Sequence, residues 1–111
     1  MNRIAMSAAA SGLLRALIAR AGVSRDRILL TDVQSIDWQS LTLIGERHQF
    51  HLRVPGPDSL AVIERMCSDL EEAEFTIDGQ IVADIASQGE PVRAADGSTS
   101  ITIEALTVAE S

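Results

Sequence analysis

Ile36-Asp37-Trp38-Gln39-Ser40-Leu41-Thr42-Leu43-Ile44-Gly45-Glu46-Arg47-His48-Gln49-Phe50-His51-Leu52-Arg53-Val54 reads as two alternating runs meeting at a glycine. Period-two alternation predicts strands, and Gly45-Glu46 has the glycine-first pattern of a two-residue type II′ bend. With the bend there, Ile44 faces Arg47, Thr42 faces Gln49, Ser40 faces His51 and Trp38 faces Arg53. On the opposite side Leu43 faces His48, Leu41 faces Phe50, Gln39 faces Leu52 and Asp37 faces Val54. Successive side chains of a strand point to opposite faces, so this pairing sorts every polar group of the hairpin onto one of two surfaces.

Working outward, residues 7–21 carry Leu13, Leu14, Leu17, Ile18 and Ala21 at helical spacing, with Gly22 as a left-handed stop. Gly12 weakens the first turn of that helix. Ser24 is placed to cap a short turn, with Val23 and Ile28 as a hydrophobic staple. The apolar run 28–33 is either its own strand or the start of the next. Pro55-Gly56-Pro57 ends the hairpin, because proline donates nothing to a ladder. A second helix is expected over 57–73, with Pro57 and Asp58 at its positive end and a stripe of Leu60, Ile63, Met66, Cys67, Leu70 and Ala73. Phe75-Thr76-Ile77 is extended, Asp78-Gly79 is a turn, 80–87 is a strand, 88–98 a turn-rich loop and 99–108 a final β-branched strand.

The order α-β-β-α-β-β predicts an α+β fold, with two helices packed on one face of a four-stranded, mainly antiparallel sheet. It is also a circular permutation of the ferredoxin-like β-α-β-β-α-β plan, an analogy that carries no function. At 111 residues the chain is expected to form a single domain, 1–111, with a basic helical segment at 1–27 and an acidic body at 28–111. Of 16 carboxylates only Asp26 lies in the first segment, beside Arg3, Arg15, Arg20, Arg25 and Arg27. The expected role of those arginines is a solvated helix face or a strap on the chain's own acidic body.

A net charge of −7 disfavours sequence-independent binding to phosphate backbones. Cys67 is the single cysteine, so no internal disulfide or cysteine-based metal site can form, and a buried structural thiol is expected. No stretch reaches the apolar length of a membrane span. The start, Met1-Asn2-Arg3 followed by an apolar run to Ala10, imitates a signal peptide only weakly, and a cytoplasmic location is expected.

The face with Leu41, Leu43, Phe50, Leu52 and Val54 is the expected core face, matched by Ile81, Ala83, Ile85, Ile101 and Ile103. The other carries Ile36, Trp38 and Ile44 with Val82, Leu106 and Val108, beside Ser40, Thr42, Arg47, Gln49, His51, Arg53, Asp84, Thr102 and Glu104. It is too apolar for a solvated face and too polar for a core, a mixture expected of a contact surface. Trp38 opposite Arg53 would form a cation–π pair and an interface anchor, or simply a cross-strand packing pair. His48-x-x-His51 fails as a chelating pair, since three-residue spacing on a strand points the rings to opposite faces. His48 is expected to be exposed or hydrogen-bonded in a structural role. His51, Asp84 and Glu104 share a face and would form a trio for a divalent cation or for acid–base work if their strands adjoin. Asp37 and Gln39 point coreward, Asp37 capping a backbone amide at the sheet's end. The chain contains no phosphate-binding glycine loop, nucleophile elbow or zinc framework.

The leading expectation is therefore a small non-catalytic protein without a cofactor, homodimeric through the mixed face, with Ile36, Trp38, Ile44, Arg53 and Leu106 as contact residues. The alternative is a small-molecule or metal-ion binder, or an enzyme, using His51, Asp84 and Glu104 on the same face. A third expectation has the basic first helix folding over that face within one chain.

Overall fold

The computed structural model describes residues 5–110. Arg3 and the first four residues of the leader-like stretch lie outside the described residues. Ser7 accepts the Ala10 amide hydrogen at 3.1 Å, helix α1 runs Ala8–Ala21, and Gly22 closes it at φ 71°. These are the stop and start that a serine cap and a left-handed glycine dictate. A 3-10 turn at Arg25–Arg27 leads into β1 (Leu29–Gln39), so the 28–33 run is the beginning of the hairpin's first strand. Next come β2 (Ile44–Val54), α2 (Ser59–Cys67), a 3-10 turn at Leu70–Glu72, β3 (Gln80–Arg93) and β4 (Thr99–Ala109).

The strands form one antiparallel sheet in the order β1-β2-β4-β3. Because every neighbour is antiparallel, β2 and β3 run the same way with β4 between them. Joined through α2, they make a split β-α-β unit, as the permuted ferredoxin-like plan would have it. One hydrophobic cluster holds Leu13, Leu14 and Leu17 of α1, Val62, Ile63 and Met66 of α2, and Phe50, Leu52, Val54, Ile85, Ile101 and Ile103 of the sheet. Burying each such side chain is worth about 1.5–3 kcal/mol, so the α1 stripe is committed to this core. The helix does not fold over the opposite face, which corrects the third expectation.

The hairpin bends four residues earlier than the glycine suggests. Gln39 pairs with Ile44, and the loop is Ser40-Leu41-Thr42-Leu43, closed by Ser40 N–H to the Leu43 carbonyl at 2.8 Å and Leu43 N–H to Ser40 Oγ at 3.2 Å. Four-residue loops are commonly built on a type I turn, with serine favoured at its first position, and need no glycine. The earlier bend gives β1, β2 and β4 equal lengths of 11 residues and extends the β2–β4 ladder through Gly45. Trp38 consequently faces Gly45 instead of Arg53, a change of eight positions. An even change preserves the side of the sheet on which each residue lies. The two-face sorting thus survives for Ile36, Trp38, Arg47, Gln49, His51 and Arg53, while the loop removes Ser40, Leu41, Thr42 and Leu43 from both faces.

Three further boundaries differ from expectation. Helix α2 stops at Cys67, short of residue 73, with Asp69 left-handed at φ 50°. Its terminal carbonyls have another partner: Arg20 Nε donates to Met66 O at 3.0 Å, Arg20 Nη2 donates to Ser68 O, and the guanidinium lies 5.9 Å from the Phe75 ring centroid. Removing this cross-helix cap by Arg20→Met should cost about 1–2 kcal/mol in urea unfolding. Arg15→Met, which breaks only an exposed bond to Ser11, should change stability by no more than about 0.5 kcal/mol. Strand β3 extends to Arg93, absorbing Gly89 and Pro91 in a bulge between Gln88 and Val92, a place that proline tolerates on an edge strand. The loop shrinks to 94–98, held by Asp96 accepting both the Ser98 N–H (2.9 Å) and the Ser98 hydroxyl (2.6 Å). Those bonds hold the Asp96 carboxyl below its usual range. Arg27 binds Asp58 and the Pro55 carbonyl, so the basic segment does strap onto the acidic body at Arg20 and Arg27.

Candidate functional site

Both helices cover one side of the sheet, and among the described residues nothing packs on the other, here the bare face. Across β1, β2, β4 and β3 in turn, the bare face has five rows. The first is Trp38, Gly45, Val108, Ile81, and the second is Ile36, Arg47, Leu106, Asp84. The third is Gln34, Gln49, Glu104, Ala86, the fourth Asp32, His51, Thr102, Gln88, and the fifth Leu29, Arg53, Ser100, Val92. The face thus grades from an apolar end, through two polar rows, to a last row with aliphatic residues at its edges.

At the apolar end Ile36 is 66% and Ile81 53% exposed, whereas Val108 is 5% and Leu106 9% exposed. Gly45 contributes no side chain between Trp38 and Val108. A shallow groove beside it is lined by Leu43, Ile81, Ala83 and Val108. Leu43, expected in the core, therefore borders the bare face, and Leu41 at the loop tip is fully exposed.

The bulge at Ala83 produces the remaining corrections. Val82 pairs with Thr107 on the helix side, and after one extra residue Asp84 pairs with Leu106 on the bare side. Ile81 stands on the bare face beside Val108, and Val82 is packed against the core. Alternation alone gave the reverse, because Ile81, Ala83 and Ile85 imitate an unbroken core stripe. Ile44, opposite Gln39, belongs to the helix-side face but lies beyond the helices, 64% exposed. Asp37 and Gln39 share that face and are exposed for the same reason, so neither points into the core.

Of the contact candidates, Ile36, Trp38 and Leu106 share the apolar end, while Arg53 lies four rows from Trp38. Eight residues along a strand span about 27 Å, so the expected cation–π pair does not form. The polar trio is not assembled either. His51 pairs with Thr102, Glu104 with Gln49, and Asp84 with Leu106, placing each in a different row. His51 Nδ1 shares a hydrogen bond with Thr102 Oγ1 at 3.0 Å, and Nε2 with Gln49 Oε1 at 3.2 Å. Gln49 Nε2 in turn donates to Gln88 Oε1 at 3.2 Å, tying β2, β4 and β3 together through a polar chain. Among the described residues no three His, Cys, Asp or Glu side chains are grouped to hold a metal ion.

His48 occupies the helix side, 3% exposed, its ring stacked on Phe50 at 5.9 Å. Nδ1 meets Ser35 Oγ at 2.7 Å and Nε2 meets Thr107 Oγ1 at 2.8 Å, a hydrogen-bonded structural histidine. Burial pushes its pKa down, and the Glu46 carboxylate opposes that shift only in part. Cys67 is half-buried, and the same desolvation raises its thiol pKa.

Comparisons with protein-family models, with curated proteins and with solved structures each return no match. Among the described residues no helix is long and apolar enough to cross a membrane.

Proposed function

We propose that this chain is a small non-catalytic interaction protein of the cytoplasm that pairs with a second copy of itself through the bare sheet face. The observation that carries this reading is the uncovered apolar end: Trp38, Ile36 and Ile81 surround Val108 and Leu106 on a side with no helix. Exposed apolar patches of that kind mark interaction sites. Charges of both signs, Arg47 and Arg53 with Asp84 and Glu104, accompany them on one surface, as a self-complementary two-fold contact requires. The face measures about 19 by 33 Å from strand spacing and rise. Roughly 600 Å² before side-chain relief approaches the approximately 800 Å² per partner of a standard interface. A lone free thiol suits a reducing compartment. The second reading, a small-molecule or metal-ion binder or an enzyme on this face, has less support, because His51, Asp84 and Glu104 stand in separate rows.

Light scattering tests the reading. The wild-type protein should show twice the chain mass of 11.9 kDa. Trp38→Asp should show one chain mass with an unchanged far-UV spectrum. Replacing an aromatic contact residue by a carboxylate costs about 2 kcal/mol per site, and a dimer contains two, so the dimer should weaken by roughly three orders of magnitude. Monomeric wild-type protein, or a folded Trp38→Asp variant that keeps the double mass, would sink the proposal.

A further inference from the structure

We infer that the two-fold axis of this pairing runs parallel to the strands, so that β1 of one copy lies over β3 of its partner and β2 lies over the partner's β4. The inference rests on the self-association proposed above and adds its geometry. An axis along the strands leaves each row facing the same row of the partner. Trp38 then faces the partner's Ile81, and side-chain-free Gly45 receives the partner's Val108. Gln49 faces the partner's Glu104, and His51 faces the partner's Thr102. In the last row, Leu29 and the partner's Val92, exposed edge aliphatics in each copy, come together. Arg47 is one strand from the partner's Asp84, one row from the partner's Glu104 and one strand from the partner's Arg47, and no charge lies directly over one of its own sign.

An axis across the strands does the opposite. Centred on the second row, it sets Arg47 and Asp84 each against its own copy. On the third row it opposes Glu104 to Glu104 and places Trp38 against the partner's Leu29. Between those rows, it presses Trp38 on the partner's Asp32 and Leu106 on the partner's Glu104. Like charges in opposition and apolar groups against carboxylates are both unfavourable; the axis along the strands opposes no like charges directly and makes one contact of the second kind, Ile36 over the partner's Asp84. Edge-to-edge pairing has one available strand. β3 is blunted by bulges at Ala83 and at Gly89–Pro91, while β1 is regular from Asp32 to Gln39. Such pairing leaves the apolar end bare.

Thiol placement distinguishes these arrangements. In a Cys67→Ala background, Ile36→Cys and Asp84→Cys chains are mixed and treated with a short bis-maleimide, which spans the approximately 10 Å between packed sheets. Leu29→Cys with Val92→Cys is the second pair, and light scattering is recorded on every sample. Cross-linked dimer in both mixtures, at least tenfold above either single variant alone, is the expected result. Dimers in which Ile36→Cys or Gln34→Cys links to itself, or in which neither mixture links, overturn the axis while leaving self-association intact. A monomeric mass in the wild-type protein overturns both.

Discussion

Gly45→Ala lowers the melting temperature by at least about 10 °C, the largest effect expected of any single methyl group in this chain. A Cβ on Gly45 would lie 2.0 Å from the Thr107 carbonyl oxygen and 3.0 Å from the Val108 Cα. Those are backbone atoms of β4, so relief requires parting the two inner strands, β2 and β4, at the last pair of their ladder, where no flexible side chain can give way. A loss of about 3–5 kcal/mol is appropriate to a clash of that kind. In a chain of this length each kcal/mol is worth roughly 4 °C or more. Gly45→Asn separates this explanation from a turn. A bend centred on Gly45 would need a positive φ, which asparagine accepts far better than alanine. In the ladder the obstacle is the Cβ itself, so asparagine and alanine should be equally damaging. Thermal melts of the three proteins decide between them. Asparagine behaving like glycine would refute the close approach of β2 and β4.

The same glycine shows why the fold was legible while the hairpin's bend was not. Gly22, Pro55 and Asp78-Gly79 act locally: each ends or turns an element through its own hydrogen bonds or φ preference, and each does so where expected. Gly45 answers instead to β4, sixty residues away in the chain, and nothing in its neighbours reveals that. Face assignment is more robust than register, because parity survives any even displacement. Trp38 therefore stays on the bare side although its partner changes. Parity fails at the bulges, where a single extra residue at Ala83 exchanges Ile81 and Val82. The pairing of Arg53 with Trp38 depended on register, and so did a trio gathered from three rows. The apolar end depended mainly on parity, and Ile36, Trp38, Leu106 and Val108 remain together.

His48→Phe should destabilise the protein by about 1–3 kcal/mol although phenylalanine preserves the stack on Phe50. Thr107 is fully buried, and its hydroxyl is bonded to His48 Nε2 at 2.8 Å. Replacing the ring strands that hydroxyl, and a buried polar group without a partner costs about that much. Ser35, on the other end of the ring, is exposed and regains water. Adding Thr107→Val removes the stranded group at similar volume, so the double variant should recover most of the loss. Two additive penalties would exclude the bond as the cause. Acid provides a second, independent readout. An unfolded histidine takes up its proton near pH 6.5, whereas burial holds folded His48 to a lower pH. Between those values the unfolded state binds more protons, so this contribution is complete above about pH 6.5 and declines as pH falls through the window. Asp58 and Asp96, whose carboxyls are held below their usual range by Arg27 and Ser98, lose their contributions only at still lower pH, below the ordinary carboxylate value of 3.8. Urea unfolding from pH 7.5 to 5 should consequently show a decline in the wild-type protein that is reduced in His48→Phe. A slope unchanged by the substitution would remove the buried ring from the acid response.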